Sequence, residues 1–375
     1  IRRPPRSTPS NSSAASDVYK RQGLCYICGT CVAICPYGAI AIIEENLYKY
    51  GVHELGVTAP IHKIIKEHCG RIGFCYYNCP QTVLNVEEAE KALFGTISKD
   101  ILGFYRKICI ARAGDERIRK NAQRGGTITA ILKYLLDNQI VKGAVICESD
   151  EEWKPYPKVI VEPKELLKAQ KTKYTPCPMM IGVRDAVMSW GLPKVAFVGT
   201  PCQIRAVRAI QLSPFGVTRL AEGVEFTIGT FCYGTYFYAD LFIKYLYNRH
   251  KIAPKSITKI DLDTDRLRVY VHGELKLDVS RHELDEFLRE SCKRCDEFTA
   301  KLSDVSVGGI GAPEGWNSVI IRTEKAYKII NEAVDSGYLE IDEITEEGIE
   351  EIKKLAMKKI SFFKSVKDAS RTSYF

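Results

Sequence analysis

Hydrophobic positions along this chain follow two regimes. From about residue 101 they are periodic. In GGTITAILKYLLDNQ they recur at positions 128, 131, 132, 135 and 136, the stripe of one helical face. KGAVIC, just after, is a short apolar run that reads as a buried strand. KVAFVGTPCQIRAVRAI reads as strand, tight turn at Gly199-Thr200-Pro201, then helix. VEFTIGTFCYGTY is β-rich, and DVSVGGIGAPEGWNSVIIRT reads as strand, Gly-rich loop, strand. From Lys325 charged and apolar residues alternate at helical spacing, which predicts a helical tail. Strands alternating with helices predict an α/β body.

The first hundred residues obey another rule. Seven of the chain's fourteen cysteines fall within residues 23–90. CYICGTCVAICP sets Cys25, Cys28, Cys31 and Cys35 ahead of Pro36. This is C-x2-C-x2-C-x3-C-P without departure, the bacterial ferredoxin spacing. Three thiolates at that spacing let a short loop wrap one face of an iron–sulfur cubane. Gly29 lets the backbone come close, and Pro36 directs the fourth thiolate to a neighbouring cluster. Zinc sites more often pair two C-x2-C units set well apart. HCGRIGFCYYNCP, residues 68–80, repeats the template with Cys69, Cys75, Cys79 and Pro80, but Ile72 stands where the second cysteine belongs. A two-cluster arrangement gives Cys25, Cys28, Cys31 and Cys79 to one cluster, and Cys69, Cys75 and Cys35 to the other. Ile72 cannot bind iron. The second site is therefore expected to hold a three-iron cluster, a four-iron cluster with one non-cysteine ligand, or nothing.

Composition changes the picture in two places. The 45% hydrophobic and 27% charged fractions are those of a globular protein, and no apolar run reaches the roughly 18 residues of a membrane helix. Residues 1–22 differ: they are rich in Ser, Arg and Pro and lack the apolar core of a signal peptide. They resemble a translated sequencing adaptor and are set aside as a non-native leader. Their Arg2, Arg3, Arg6, Lys20 and Arg21 against Asp17 carry half of the formal net charge of +8. What remains is too slight to suggest nucleic-acid binding. Fourteen cysteines without a secretory signal favour metal or redox chemistry over disulfides. The expected location is the cytoplasm, including the periphery of a membrane complex.

Further candidates lie in the α/β part. Cys202 in GTPCQ, Cys232 in TFCYG, and Cys292 with Cys295 in CKRCDEF offer two lone cysteines and one C-x2-C. Such a set makes a four-cysteine iron–sulfur or zinc site; buried cysteines acting as small hydrophobes are the plain alternative. Cys109 and Cys147 lie in apolar strand-like stretches and are expected in the core, while Cys177 has no assignment. Gly125-Gly126 opens a helix, where free N–H groups and the helix dipole suit an anion such as a flavin or nucleotide phosphate. VGGIGAPEGW holds Gly308 and Gly309 in a loop suited to close approach of a flat ligand. It lacks the G-x-G-x-x-G fingerprint, so no Rossmann site is expected. No nucleophile–His–acid set stands out among the six His.

QRGGTITAILKYLLDNQIVKGAVI, VAFVGTPCQIRAVR and CKRCDEFTAKLSDVSVGGIG with GWNSVIIRT together resemble the coenzyme F-420 hydrogenase/dehydrogenase beta-subunit family over roughly residues 98 to 345. With a two-cluster ferredoxin domain in front, the chain is similar to the input subunit of F-420H2 dehydrogenase. The resemblance implies an FAD and one four-iron cluster in the α/β part, with family ligand positions matching Cys202, Cys232, Cys292 and Cys295. The flavin would exchange a hydride with coenzyme F-420, and three clusters would relay electrons to other subunits of a redox complex. Gly125, Gly126, Thr127, Gly199, Thr200, Gly308 and Gly309 become the candidate flavin contacts, and no catalytic side chain is required. The expected organisation is an α+β ferredoxin-like domain over residues 23–95, an α/β flavin- and Fe–S-binding domain over 96–345, and a helical tail over 346–375. Two alternatives stay open: a ferredoxin-dependent FAD/Fe–S reductase of the same fold with another substrate, and a flavin-free electron-wiring subunit.

Overall fold

The computed structural model describes residues 23–43, 61–70, 72–168, 170–263 and 265–372. The proposed leader, residues 1–22, lies outside the described residues, as does the middle of the connector between the cysteine runs. The ends of that connector form a hairpin. β1 (Ile40–Ile43) pairs antiparallel with β2 (Ile61–Ile64), Ile40 opposite Ile64.

The periodic part builds an eight-stranded sheet. Its strands are β3 (Lys107–Ala113), β4 (Gly143–Ser149), β5 (Pro155–Ile160), β6 (Val195–Gly199) and β7 (Val224–Thr230), joined later by β11 (Val305–Gly308), β12 (Asn317–Ile321) and β13 (Leu339–Asp342). Their order is β13-β3-β12-β11-β7-β6-β4-β5. β4, β6, β7 and β11 run parallel at the centre, and antiparallel pairings complete both sides. Central parallel strands are covered on both faces, which is why their sequences are nearly continuous apolar runs. Within β6, Val195 and Phe197 face one layer and Ala196 the other; Val145 of β4 opposes Ala144 and Ile146 in the same way. Helices Thr127–Asp137 and Glu324–Asp335 cover one face. Helices Met179–Arg184 and Pro201–Leu212 cover the other. The first cysteine run packs into this layer. Cys28, Ala33 and Ile34 share this second core with Val183, Phe197 and Ile204.

Two elements depart from the sequence reading. The helical tail is interrupted: β13 lies between helices Glu324–Asp335 and Glu346–Thr372. Four residues are too few to display a period of two, so LEID was absorbed into its helical surroundings. A separate sheet, β8 (Ile257–Leu262), β9 (Arg266–Val271) and β10 (Glu274–Ser280), in order β10-β9-β8, was not foreseen. Its tight turn holds His272 and Gly273 at φ 51° and 85°, the left-handed pair that suits a two-residue hairpin.

Buried ion chemistry ties the sheet together. The Asp304 carboxylate accepts from the Thr227 N–H (2.9 Å), the Thr227 hydroxyl (2.7 Å), Arg208 Nη2 (3.2 Å) and the Thr323 hydroxyl (3.0 Å). Burial works against its charge, but Arg208 and Thr227 outweigh it and hold the carboxyl below its usual value. Arg322, 0% exposed, donates to the carbonyls of Leu102, Phe104 and Thr299 and to the Ser306 hydroxyl. Asp304→Asn removes the charge but leaves Arg208 buried, so it should cost about 3 kcal/mol in urea denaturation at neutral pH. A carboxyl depressed on folding stabilises above its unfolded pKa and stops doing so as pH falls through the folded one. The gap between the two proteins should therefore begin to narrow below about pH 4. A pH-independent gap would show that Asp304 carries no charge-dependent stability.

Candidate functional site

The first cysteine run wraps around its own thiols. Ile27 stands at φ 57° and Gly29 at φ 84°, on either side of Cys28. A left-handed β-branched residue is a true outlier and persists only where its surroundings impose it, commonly at ligand-holding loops. The result is a set of donors turned toward sulfur. The Ile27 N–H donates to Cys25 Sγ and the Ala39 N–H to Cys35 Sγ, both at 3.3 Å, and the Thr30 hydroxyl lies 3.3 Å from Cys28 Sγ. Cys79 comes from the other run to meet this loop. Burial first, then the charges of Cys79 and Cys25, push the Cys28 thiol well up. Cys31 is half-buried in the same turn. The segments bearing Cys35 and Cys69 run side by side, with the Tyr37 ring against Gly70. Cys69 and Cys75 are half-buried and Ile72 is exposed.

The loop is pressed onto the α/β body. The Met180 N–H donates to the Cys28 carbonyl (2.9 Å), and Arg289 Nη2 donates to the Cys25 carbonyl (2.8 Å). A Cβ on Gly29 would stand 2.8 Å from the Pro178 carbonyl oxygen, so glycine serves docking here as well as φ.

Beneath it lies a cavity of about 420 Å³. It opens at the carboxyl ends of β4, β6 and β7, where crevices form in α/β sheets. Cys202, Cys232, Cys292 and Cys295 all line it. So do Gly126, Thr127, Gly199, Thr200, Gly308 and Gly309. Gly125 sits behind the wall: a Cβ there would meet Asn317 Oδ1 and the Ala111 and Gly315 carbonyls at 2.9–3.0 Å. Its role is packing at the helix entry rather than contact with the cavity. Cys147, expected in the core, instead lines the cavity with Cys177, whereas Cys109 is buried.

The four thiols share one electrostatic neighbourhood. Burial pushes Cys202 up to about 11 and Cys232 up to about 12, and the facing cysteines add to both. Cys292 differs from these two. Burial opposes its charge, but Arg289, Lys359 and donation from Thr235 win, leaving it below its usual value. Thr200 backs Cys202 at 3.3 Å, and the Thr235 N–H donates to Cys292 Sγ at 3.4 Å. Among the described residues no three His, Cys, Asp or Glu side chains meet as a single-ion site. A cubane spreads its thiolates over four separate irons, so a cluster set stands wider than a set around one ion. All-thiolate donors with N–H and O–H support fit an iron–sulfur cluster in both places.

Two wall residues, Lys359 and Tyr26, gave no warning in the sequence. Lys359, 3% exposed, reaches in from helix Glu346–Thr372 and donates to the Cys232 carbonyl (2.6 Å). It lies in the Lys-rich stretch KKLAMKKISFFK, where nothing distinguishes it from its solvated neighbours. Tyr26, inside the first cysteine run, lines the cavity beside Cys202 and Cys295 and faces Arg205. Arg205 is held by Asp296 at 2.9 Å. Arg124 stands between Asp263 (2.7 Å) and Gly309, whose absent Cβ makes room for its guanidinium.

Residues 108–182 and 192–347 match the family models described as coenzyme F-420 hydrogenase/dehydrogenase beta subunit, N-terminal and C-terminal parts respectively. The chain is 34% identical over 247 residues to coenzyme F-420 hydrogenase subunit beta of Methanothermobacter thermautotrophicus, covering 66% of this chain and 87% of that protein. It is 34% identical over 361 residues to the coenzyme F-420-dependent sulfite reductase of Methanocaldococcus jannaschii; that match takes in 91% of this chain but only half of the reductase. Among solved structures, a chain of the F-420-reducing [NiFe] hydrogenase complex from Methanosarcina barkeri superposes with TM-score 0.69 at 30% identity, over 74% of this chain and 96% of that one.

Gly29→Ala should loosen the docked run. A left-handed alanine costs about 1–2 kcal/mol before its collision with Pro178. Hydrogen exchange should speed up at the Ala33 and Ile34 amides, which bond back to Gly29 and Thr30, while β6 amides keep their rates. Unchanged exchange at both places would mean that the run is not seated through Gly29.

Proposed function

Because this chain belongs to the coenzyme F-420 hydrogenase/dehydrogenase beta-subunit family, we propose that it is an iron–sulfur flavoprotein subunit passing electrons between reduced coenzyme F-420 and the clusters of a redox complex. The observation that carries this reading is the convergence of the glycine turns and four cysteines on one cavity, with the first cysteine run against its wall. When bound, FAD supplies the change from two-electron exchange with the deazaflavin to one-electron exchange with clusters.

The chain's own residues do the positioning. Gly308 and Gly309 bring no side chains of their own to the wall; the room they leave is taken by the Phe231 ring and Arg124, which would flank a bound ring. Gly126 and Thr127 open helix Thr127–Asp137 into the cavity, and their N–H end favours an anionic group. Cys202, Cys232, Cys292 and Cys295 would hold a four-iron cluster, with Lys359 and Arg289 offsetting its negative charge. Tyr26, next to Cys25 in the chain, lines the cavity beside Cys202 and Cys295, which supports a short step between the two cluster sites. Cys25, Cys28, Cys31 and Cys79 would hold the next cluster. Cys35, Cys69 and Cys75 would hold a third, three-iron where Ile72 leaves a corner unligated. Ile72 is exposed, which supports reading that last site as the outward one, toward a partner subunit. Among the described residues no helix is long and apolar enough to cross a membrane, and a cytoplasmic or membrane-peripheral complex suits the arrangement.

Anaerobic purification, with flavin, iron and sulfide measured on one sample, should return one FAD per chain and iron for three clusters. Oxidised protein should give a three-iron EPR signal, and Ile72→Cys should replace it with a four-iron cluster. Reduced coenzyme F-420 should then be oxidised with an artificial dye as acceptor. Flavin present without F-420 turnover would replace the substrate by that of a ferredoxin-dependent reductase. No flavin at all would leave an electron-wiring subunit. Four irons in the N-terminal part with no three-iron signal would reject the third cluster.

A further inference from the structure

Two cavity cysteines belong to neither cysteine set. Cys147 lies near the end of β4, and Cys177 just precedes helix Met179–Arg184. They pack in the same apolar cluster, their side chains are within hydrogen-bonding reach of each other, and both line the cavity. The pair is asymmetric. Cys177 is 2% exposed and held from behind, its carbonyl accepting from Gln203 Nε2 (2.8 Å) and the Met179 N–H (2.9 Å). Cys147 is half-buried on the open side. Lys173 lines the cavity beside both thiols. One accessible thiol, one shielded thiol in contact with it and a cation alongside make an arrangement suited to thiol–disulfide exchange.

We propose that Cys147 and Cys177 form a redox-active dithiol in the cavity wall that reacts with small-molecule disulfides. Cys147, as thiolate, attacks one sulfur of the small disulfide; that S–S bond breaks and one thiol leaves. The Cys177 thiol then loses its proton and attacks the Cys147 sulfur of the mixed disulfide, and the second thiol leaves. Two protein thiols and one small disulfide become one protein disulfide and two small thiols. The protein pair is oxidised, the small disulfide is reduced, and no other reagent is needed. Electrostatics favours these roles: the hydrogen bond from Cys177 and the charge of Lys173 hold Cys147 below the usual thiol value, whereas burial holds Cys177 well above it. The bond would fasten β4 to the Pro178 loop on which Gly29 and Cys28 are seated, so the state of the pair would reach the docking of the first cysteine run.

The test uses the full chain, purified anaerobically with whatever cofactors it carries, and oxidised glutathione as the probe. After alkylation and peptide mapping, wild type should lose two alkylatable thiols to a Cys147–Cys177 crosslink, restored by dithiothreitol. Cys177→Ser should instead accumulate glutathione on Cys147, and Cys147→Ser should give neither product. Both cysteines staying alkylatable at every glutathione ratio would overturn the proposal, as would a Cys147→Ser protein that still attaches glutathione at Cys177. Wild type alone decides the first outcome if a variant fails to fold. Because the readout is thiol connectivity, it stands whether or not the cavity binds flavin.

Discussion

The contact between Gly29 and the Pro178 carbonyl is the constraint from which the rest of the arrangement follows. A run of four cysteines has little apolar surface of its own, so it cannot make a core alone. Here it borrows one: Cys28, Ala33 and Ile34 complete the layer over β4 and β6. That borrowing demands close backbone approach, hence the missing Cβ, the Met180 bond to Cys28 and the Arg289 bond to Cys25. It also sets Tyr26 in the wall of the cavity. The seating of the first cysteine run is therefore fixed by the same packing that stabilises the fold.

What the sequence disclosed and what it withheld divide along physical lines. β4, β6, β7, β11 and β12 were legible because buried strands must be apolar and their turns need glycine. Helices Thr127–Asp137 and Pro201–Leu212 were legible through their stripe and, in the second, Thr200-Pro201 at its start. The structure adds the reciprocal cap between Thr200 and Gln203. β13 was hidden by its length. β8–β10 carry an alternation of apolar and polar residues around His272-Gly273, with no cysteine or clustered glycine beside it. The cavity's chemistry was visible where it depended on residue types that are costly to place without reason, such as cysteine and clustered glycine. It was invisible where it depended on which of many lysines or tyrosines turns inward. Lys359 and Tyr26 are chosen by tertiary packing, and nothing local records that choice.

Cys147 shows the limit of reading burial from local hydrophobicity. Its stretch is apolar because β4 is central, so core was the natural expectation. Yet the end of a parallel strand is where an α/β sheet opens, and a residue there can sit among apolar neighbours and still face a cavity. Asp304 and Arg322 make the complementary point. Both are charged, both lie in the interior, and both are satisfied by partners that only the folded chain assembles: Arg208, hydroxyls and a backbone N–H for Asp304, carbonyls and hydroxyls for Arg322.

Lys359 also bears on how the molecule comes into being. The cavity wall draws on position 26 at one extreme and position 359 at the other. During synthesis from the amino end, the sheet, the glycine turns and the four cysteines all emerge before that lysine does. Until it leaves the ribosome the pocket has an open flank where helix Glu346–Thr372 will lie. Helix Glu346–Thr372 is therefore the last piece of the wall to be made, and the cavity is complete only once the chain nearly is.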